Sequence, residues 1–211
     1  MLHITMADVL HVIGQSILTP CMIILILLMV VAIWQVGDLA VEYVTERRKS
    51  RTDVPALLKQ ISKTRMEDLH QLIDGTNLLK RQKQAIYTLI DTRGMTKNSL
   101  MALAQRLLMT EENAYQKTVE ITDLVAKLGP MFGLLGTLIP LGPGIVALGQ
   151  GDTATLSESL GVAFDTTIAG IVAAAIACVV STIRKRWYNG YMVSLESIME
   201  CILEEVAPDV E

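Results

Sequence analysis

Three stretches of this chain are apolar over lengths that suffice to cross a bilayer, for which a helix needs about 20 residues. The first runs from about Val12 to Trp34, is interrupted by Pro20 and closes on a Trp suited to a membrane interface. The second covers 128–149 and the third 159–183, with the short polar link 150–158 between them. Between the first and second stretches the pattern changes. Leu57, Leu58 and Ile61, then Leu69, Leu72 and Ile73, then Ile86, Leu89 and Ile90, then Leu100, Leu103 and Leu107 recur at helical spacing among polar residues. Asp53 before Pro55, Gly75 and the "DTRG" at 91–94 divide this region into three or four helices. The last of them starts near Thr96 and meets no strong breaker before Lys127, so it is expected to run on into the second apolar stretch. After the third stretch, Leu195, Ile198, Met199, Ile202, Leu203 and Val206 fall on one side of an acidic amphipathic helix. The pattern predicts an all-α membrane protein with three transmembrane helices and long cytoplasmic helical extensions. Its segments are 1–35, 36–127, 128–149, 150–158, 159–183 and 184–211. Thr155 to Glu158 read as a capping box, which places the start of the third membrane helix there.

Charge orients these segments. All 18 Lys and Arg residues lie between Arg47 and Lys127 or in the run Arg184, Lys185, Arg186. Every basic flank therefore belongs on the cytoplasmic side, which places the N-terminus outside, the C-terminus inside and the 150–158 link outside. The expected location is the cytoplasmic (inner) membrane. A signal peptide would need a basic leader and a small-residue cleavage site; neither flanks the first stretch, so it reads as a retained anchor. "KRQK" at 80–83 reads as a solvated helix face, with anionic lipid headgroups or a partner as alternatives, and it lacks the interleaved aromatics of a nucleic-acid site. Cys21, Cys178 and Cys201 have no paired spacing, and His3, His11 and His70 are scattered. No disulfide framework, metal site or cofactor is expected.

The chemistry sits in the last two apolar stretches. The second carries Gly129, Gly133, Gly136, Gly142 and Gly144 together with Pro130, Pro140 and Pro143, and one hydroxyl, Thr137. Small residues let membrane helices approach closely, whereas breakers survive only where freed backbone groups are buried in protein or face a watery cavity. A helix lining a shared cavity accounts for both; a plain packing helix accounts for the glycines alone. On the third stretch Ala163, Thr167, Gly170, Ile171, Ala174 and Ser181 lie along one face, with Thr166 one step aside. Asp165 points nearly opposite to Thr167. An ionised carboxylate at a helix centre costs about 2.5 to 3.5 kcal/mol on insertion scales. Two placements fit it: a semi-exposed position near the outer interface, or a role in an ion path. Aspartyl chemistry requires two opposed carboxylates and serine chemistry an activating base, and Asp165 alone lies within a span, so an enzyme is not expected.

The strings "LGPMFGLLGTLIPL" and "SESLGVAFDTTIAGIVAAAIACVVSTIRKRWY" resemble the MotA/TolQ/ExbB proton-channel family, and the three-span, N-out arrangement is similar to its TolQ and ExbB branch. The resemblance implies a homopentamer around a central pore lined by the second and third spans. Inside it would sit a single-span partner similar to ExbD, TolR or MotB, whose membrane Asp carries the proton. Thr137 in "GLLGT" and Thr167 in "TTIAG" match the family's pore-lining threonine positions, with Thr166 and Asp165 as further candidates in the ion path. Gly133, Gly136, Pro140, Gly144, Gly170 and Ala174 would shape the helix packing and the pore. The pattern departs from that branch in two places: Val162 stands where a Glu precedes the third-span threonine, and "LIPLGPG" replaces the usual continuation. The function implied is a proton-conducting stator subunit that couples ion-motive force to movement of the partner. A sodium-driven stator similar to MotA and a structural scaffold without conduction are the alternatives.

Overall fold

The computed structural model describes residues 6–47, 53–65, 68–92 and 94–206. The first apolar stretch lies in α1 (Met6–Glu42), which ends in a π-helical turn at Tyr43–Arg47. Three short helices follow: α2 (Val54–Ile61), α3 (Leu69–Asp74) and α4 (Lys80–Asp91). As expected from the absence of a breaker, the next helix does not stop before the second apolar stretch; α5 is continuous over Lys97–Gly149. The last helix, α6 (Thr153–Val206), likewise carries the third apolar stretch and the amphipathic tail without interruption at the basic run. Three of these helices are long and apolar enough to cross a membrane. Most of the basic run 46–51 and the last five residues lie outside the described residues.

The start of α6 differs from the capping box read at Thr155. The helix begins at Thr153 because Asp152 is the better acceptor: Oδ1 takes the backbone N–H groups of Ala154 and Thr155, each at 3.1 Å, and Oδ2 takes the Thr155 hydroxyl at 2.5 Å. That hydroxyl, followed by the backbone donors, holds the Asp152 carboxyl below its ordinary pKa. Gly151, at φ 78°, makes the left-handed step that turns the chain out of α5.

The chain divides into two compact units. One takes the residues up to Asp38 and Glu120–Thr182; the other takes Leu39–Val119 and the chain from Ile183 on. The first unit is a three-helix arrangement of α1, α5 and α6 whose core is small: Leu28, Ala32, Val125, Ala173 and Ala177, flanked by Phe132 and Ile176. Much of its remaining surface is apolar. Ile26, Trp34, Leu134, Ile145, Phe164 and Ile168 are all more than half exposed, a density of exposed hydrophobic side chains that suits lipid or neighbouring subunits and not water.

The second unit has a core of the kind found in water-soluble domains. Ile61, Ile73, Ile86, Leu89, Ile198 and Ile202 are fully buried together, drawn from α2, α3, α4 and α6. Gln82 is buried among them with both ends of its amide used: Nε2 donates to the Tyr191 carbonyl at 3.1 Å, and Oε1 accepts from the Leu79 N–H at 3.2 Å. The "KRQK" run is thus only partly the solvated face read from sequence. Arg81 pairs with Glu111 at 3.3 Å and Lys83 donates to the Asp74 carbonyl at 2.9 Å. Within this unit Arg184 and Glu42 form a buried ion pair at 3.2 Å, their side chains 6% and 13% exposed.

Candidate ion-path site

In the first unit the glycines of α5 meet α6 of the same chain. A methyl group added to Gly129 would lie 2.6 Å from the Gly170 carbonyl oxygen, and one added to Gly136 would lie 2.5 Å from Thr166 Cβ. One on Gly170 would press on the Gly129 carbonyl and stand 2.9 Å from Gly133 Cα; one on Gly144 would stand 3.1 Å from Ser159 Cβ. Partners fall in number along α6 as they rise along α5, so the two helices are antiparallel, with Gly133, Gly136, Pro140 and Gly144 of α5 and Ala163, Thr166, Gly170 and Ala174 of α6 buried. The close approach that the glycines permit is thereby used between two helices of one chain.

This seam fixes where the hydroxyls go. Thr166 is buried in it, and its Oγ1 donates to its own helix, within 3.0 Å of the Val162 and Ala163 carbonyls. Thr137 and Thr167 are each one residue further along. In antiparallel right-handed helices, one step past the contact line rotates both side chains toward the same flank, so the two threonines share a side of the hairpin. Both are half-buried. Thr137 Oγ1 donates to the Leu134 carbonyl at 2.7 Å and Thr167 Oγ1 to the Ala163 carbonyl at 3.1 Å. Each hydroxyl hydrogen is therefore committed to the backbone, and each oxygen offers lone pairs outward.

The opposite flank of the hairpin belongs to α1. Cys21 Sγ donates to the Phe132 carbonyl at 3.3 Å, Gln15 Nε2 donates to the Ile139 carbonyl at 3.3 Å, and Leu28 and Ala32 pack with Ala173, Ile176 and Ala177. Among the described residues the threonine flank has no such cover: Leu134, Leu138, Phe164, Ile168 and Ile171 rim it and are all exposed. Asp165 is exposed as well, but lies about 160° around α6 from Thr167 at 3.6 residues per turn. The structure thus brings Thr137 and Thr167 together on one flank, buries Thr166 in the seam and sets Asp165 apart.

Two polar ties of this unit were not read from sequence. Ser181, buried on α6, donates to the Asp123 carboxylate on α5, linking the helices where the second apolar stretch begins and the third ends. Gln15 is the other; its signal was a side-chain amide inside an apolar stretch. Among the described residues no group of three or more His, Cys, Asp or Glu side chains is placed to hold a metal.

No curated protein matches the chain. Residues 58–197 match the family model of the MotA/TolQ/ExbB proton channel family. That is more than half of the sequence and includes all of α4 and α5, the link and α6 through the threonines. Members work with partner proteins in oligomers, and membership implies a proton-channel role in an energy-transducing complex. A hydroxyl-bearing flank left open on a largely apolar membrane hairpin suits that role, and the chain belongs to the MotA/TolQ/ExbB proton channel family.

Proposed function

We propose that this chain is the channel-forming stator subunit of a complex of the TolQ and ExbB type, lying in the cytoplasmic membrane with its N-terminus outside. Five copies stand around an axis with α5 and α6 innermost. Their threonine flanks enclose the single membrane helix of a smaller partner, whose Asp carries the proton. The chain itself catalyses no bond-making chemistry. The observation that carries the reading is the uncovered flank holding Thr137 and Thr167, opposite the one occupied by α1.

The hydroxyl geometry supplies a mechanism. With their hydrogens directed to the backbone, Thr137 and Thr167 present acceptors only, which suit a protonated carboxyl as donor. An ionised carboxylate has no hydrogen to give. To meet it, each hydroxyl must leave its backbone carbonyl and turn its hydrogen toward the partner. Protonation and release of the partner Asp therefore change its contacts with the ring of threonines, and the inner helix shifts relative to the subunits around it. A charge crossing 100 mV of membrane potential supplies about 2.3 kcal/mol, enough to bias that step.

The test is reconstitution with a one-span partner protein that carries an Asp near the start of its span. Proton uptake under an imposed potential, reduced in Thr137→Val without loss of assembly, is the expected result. Normal assembly with no flux in any variant would favour the scaffold reading, and flux only with sodium present would favour a sodium-driven stator.

A further inference from the structure

The three prolines of α5 lie inside a continuous helix, and each removes one rung of its ladder. A residue without an N–H cannot serve the carbonyl four positions back, so Pro130, Pro140 and Pro143 leave the carbonyls of Ala126, Gly136 and Ile139 without their usual donor. A carbonyl in that condition within a bilayer is costly, and a neighbouring helix is one of the few places a substitute can come from. At Ile139 the substitute is present. The side-chain amide of Gln15, on α1, donates to that oxygen at 3.3 Å across 124 residues of sequence.

We infer that Gln15 is a positioning residue that supplies the donor Pro143 lacks, pinning the proline-broken end of α5 to α1. A second pin fixes the register. Cys21 is six residues further along α1, and it donates to Phe132, seven residues back along α5. Those steps span about 9 and 10 Å of helix, so both contacts fit one antiparallel alignment. The consequence falls on Thr137. It sits between Gly136 and Ile139, the two carbonyls deprived by Pro140 and Pro143, so two rungs of the ladder beside its hydroxyl are missing. Gly136 is buried on α6, and Ile139 is tied to α1. In this arrangement α1 sets the height and rotation of Thr137 without touching the flank on which it opens.

The effect on conduction rests on the pore reading of that flank, but the pairing of Gln15 with Pro143 does not, and a double-mutant cycle separates them. In detergent-solubilised full-length protein, Gln15→Leu is expected to lower the melting temperature by about 2 to 4 °C, the scale of one hydrogen bond in a chain of this size. In a Pro143→Ala background the helix recovers its own N–H for Ile139, and the same change is expected to cost less than about 1 °C. Proton flux of the reconstituted complex should fall in Gln15→Leu and recover in the double variant, which a merely structural loss would not do. A second cycle with Pro143→Leu, which restores the same N–H behind a different side chain, covers the case of a first background that does not accumulate. Equal temperature losses in the proline and non-proline backgrounds would overturn the inference. Unequal losses with no flux in any variant would leave the pairing standing and count against the pore reading alone.

Discussion

The two compact units use parts of the same two long helices, α5 and α6, but hold them with different chemistry. In one, the helices meet through Gly129, Gly136 and Gly170, where even a methyl group has no room. In the other, Ile61, Ile73, Ile86, Leu89, Ile198 and Ile202 fill a core with branched side chains. The difference follows from what surrounds each. Burying Leu and Ile away from water stabilises a fold, whereas lipid solvates those side chains as well as a neighbouring helix does. The glycine-lined unit therefore gains stability from close backbone approach, and its large side chains are left outside, as Leu134, Phe164 and Ile168 are.

The contrast can be broken most severely at the seam. Gly170→Leu has no rotamer that clears the Gly129 carbonyl and Gly133 Cα, and it should prevent accumulation of folded protein in the membrane; Gly170→Ala should cost about 3 kcal/mol. Normal expression and melting of Gly170→Ala would show that the helices are not this close. Next comes the buried ion pair of the other unit. Arg184→Met leaves Glu42 charged and buried and should cost about 3 to 5 kcal/mol, whereas adding Glu42→Leu should recover most of that loss. Thermal unfolding of the single and double variants checks it, and equal losses would contradict it.

A third comparison pairs one side chain from each unit. Ile198→Ala empties part of a closed core and should cost about 2 to 5 kcal/mol, while Ile168→Ala, on an exposed face, should leave protomer stability nearly unchanged. Equal effects would erase the distinction. The smallest expected effect concerns pH. Tyr87 donates its phenol to the Asp74 carboxylate, and desolvation together with that bond raises its pKa to about 12. The folded state favours the protonated phenol, so this contribution is complete below the unfolded value near 10 and is lost as pH rises through about 12. A Tyr87→Phe variant should show a shallower decline in stability over that interval; an unchanged decline would remove Tyr87 as the cause.

Much of this architecture was legible in the sequence, because its signals are local. Apolar length marked the three membrane helices, and the lack of a breaker between Thr96 and the second stretch foretold the continuity of α5. The phase of the hydroxyls was harder to read. Thr166 and Thr167 differ by one residue, about 100° of rotation, and which of them enters the seam depends on where α5 lies. The cap of α6 was missed by three residues because a hydroxyl and a carboxylate both competed for it, and the carboxylate of Asp152 accepts more of the first turn's donors. The tie between Gln15 and Ile139 leaves no local trace beyond a polar residue in an apolar run and a proline far along the chain.

The central claim is that the flank bearing Thr137 and Thr167, and not the seam holding Thr166, faces the ion path. Proton flux through the reconstituted complex, measured side by side for Thr166→Val and Thr167→Val, tests it most directly. Valine fills the same volume at both sites, so assembly should survive. Flux near wild type in Thr166→Val and strongly reduced in Thr167→Val is the result expected; the reverse order would contradict the assignment.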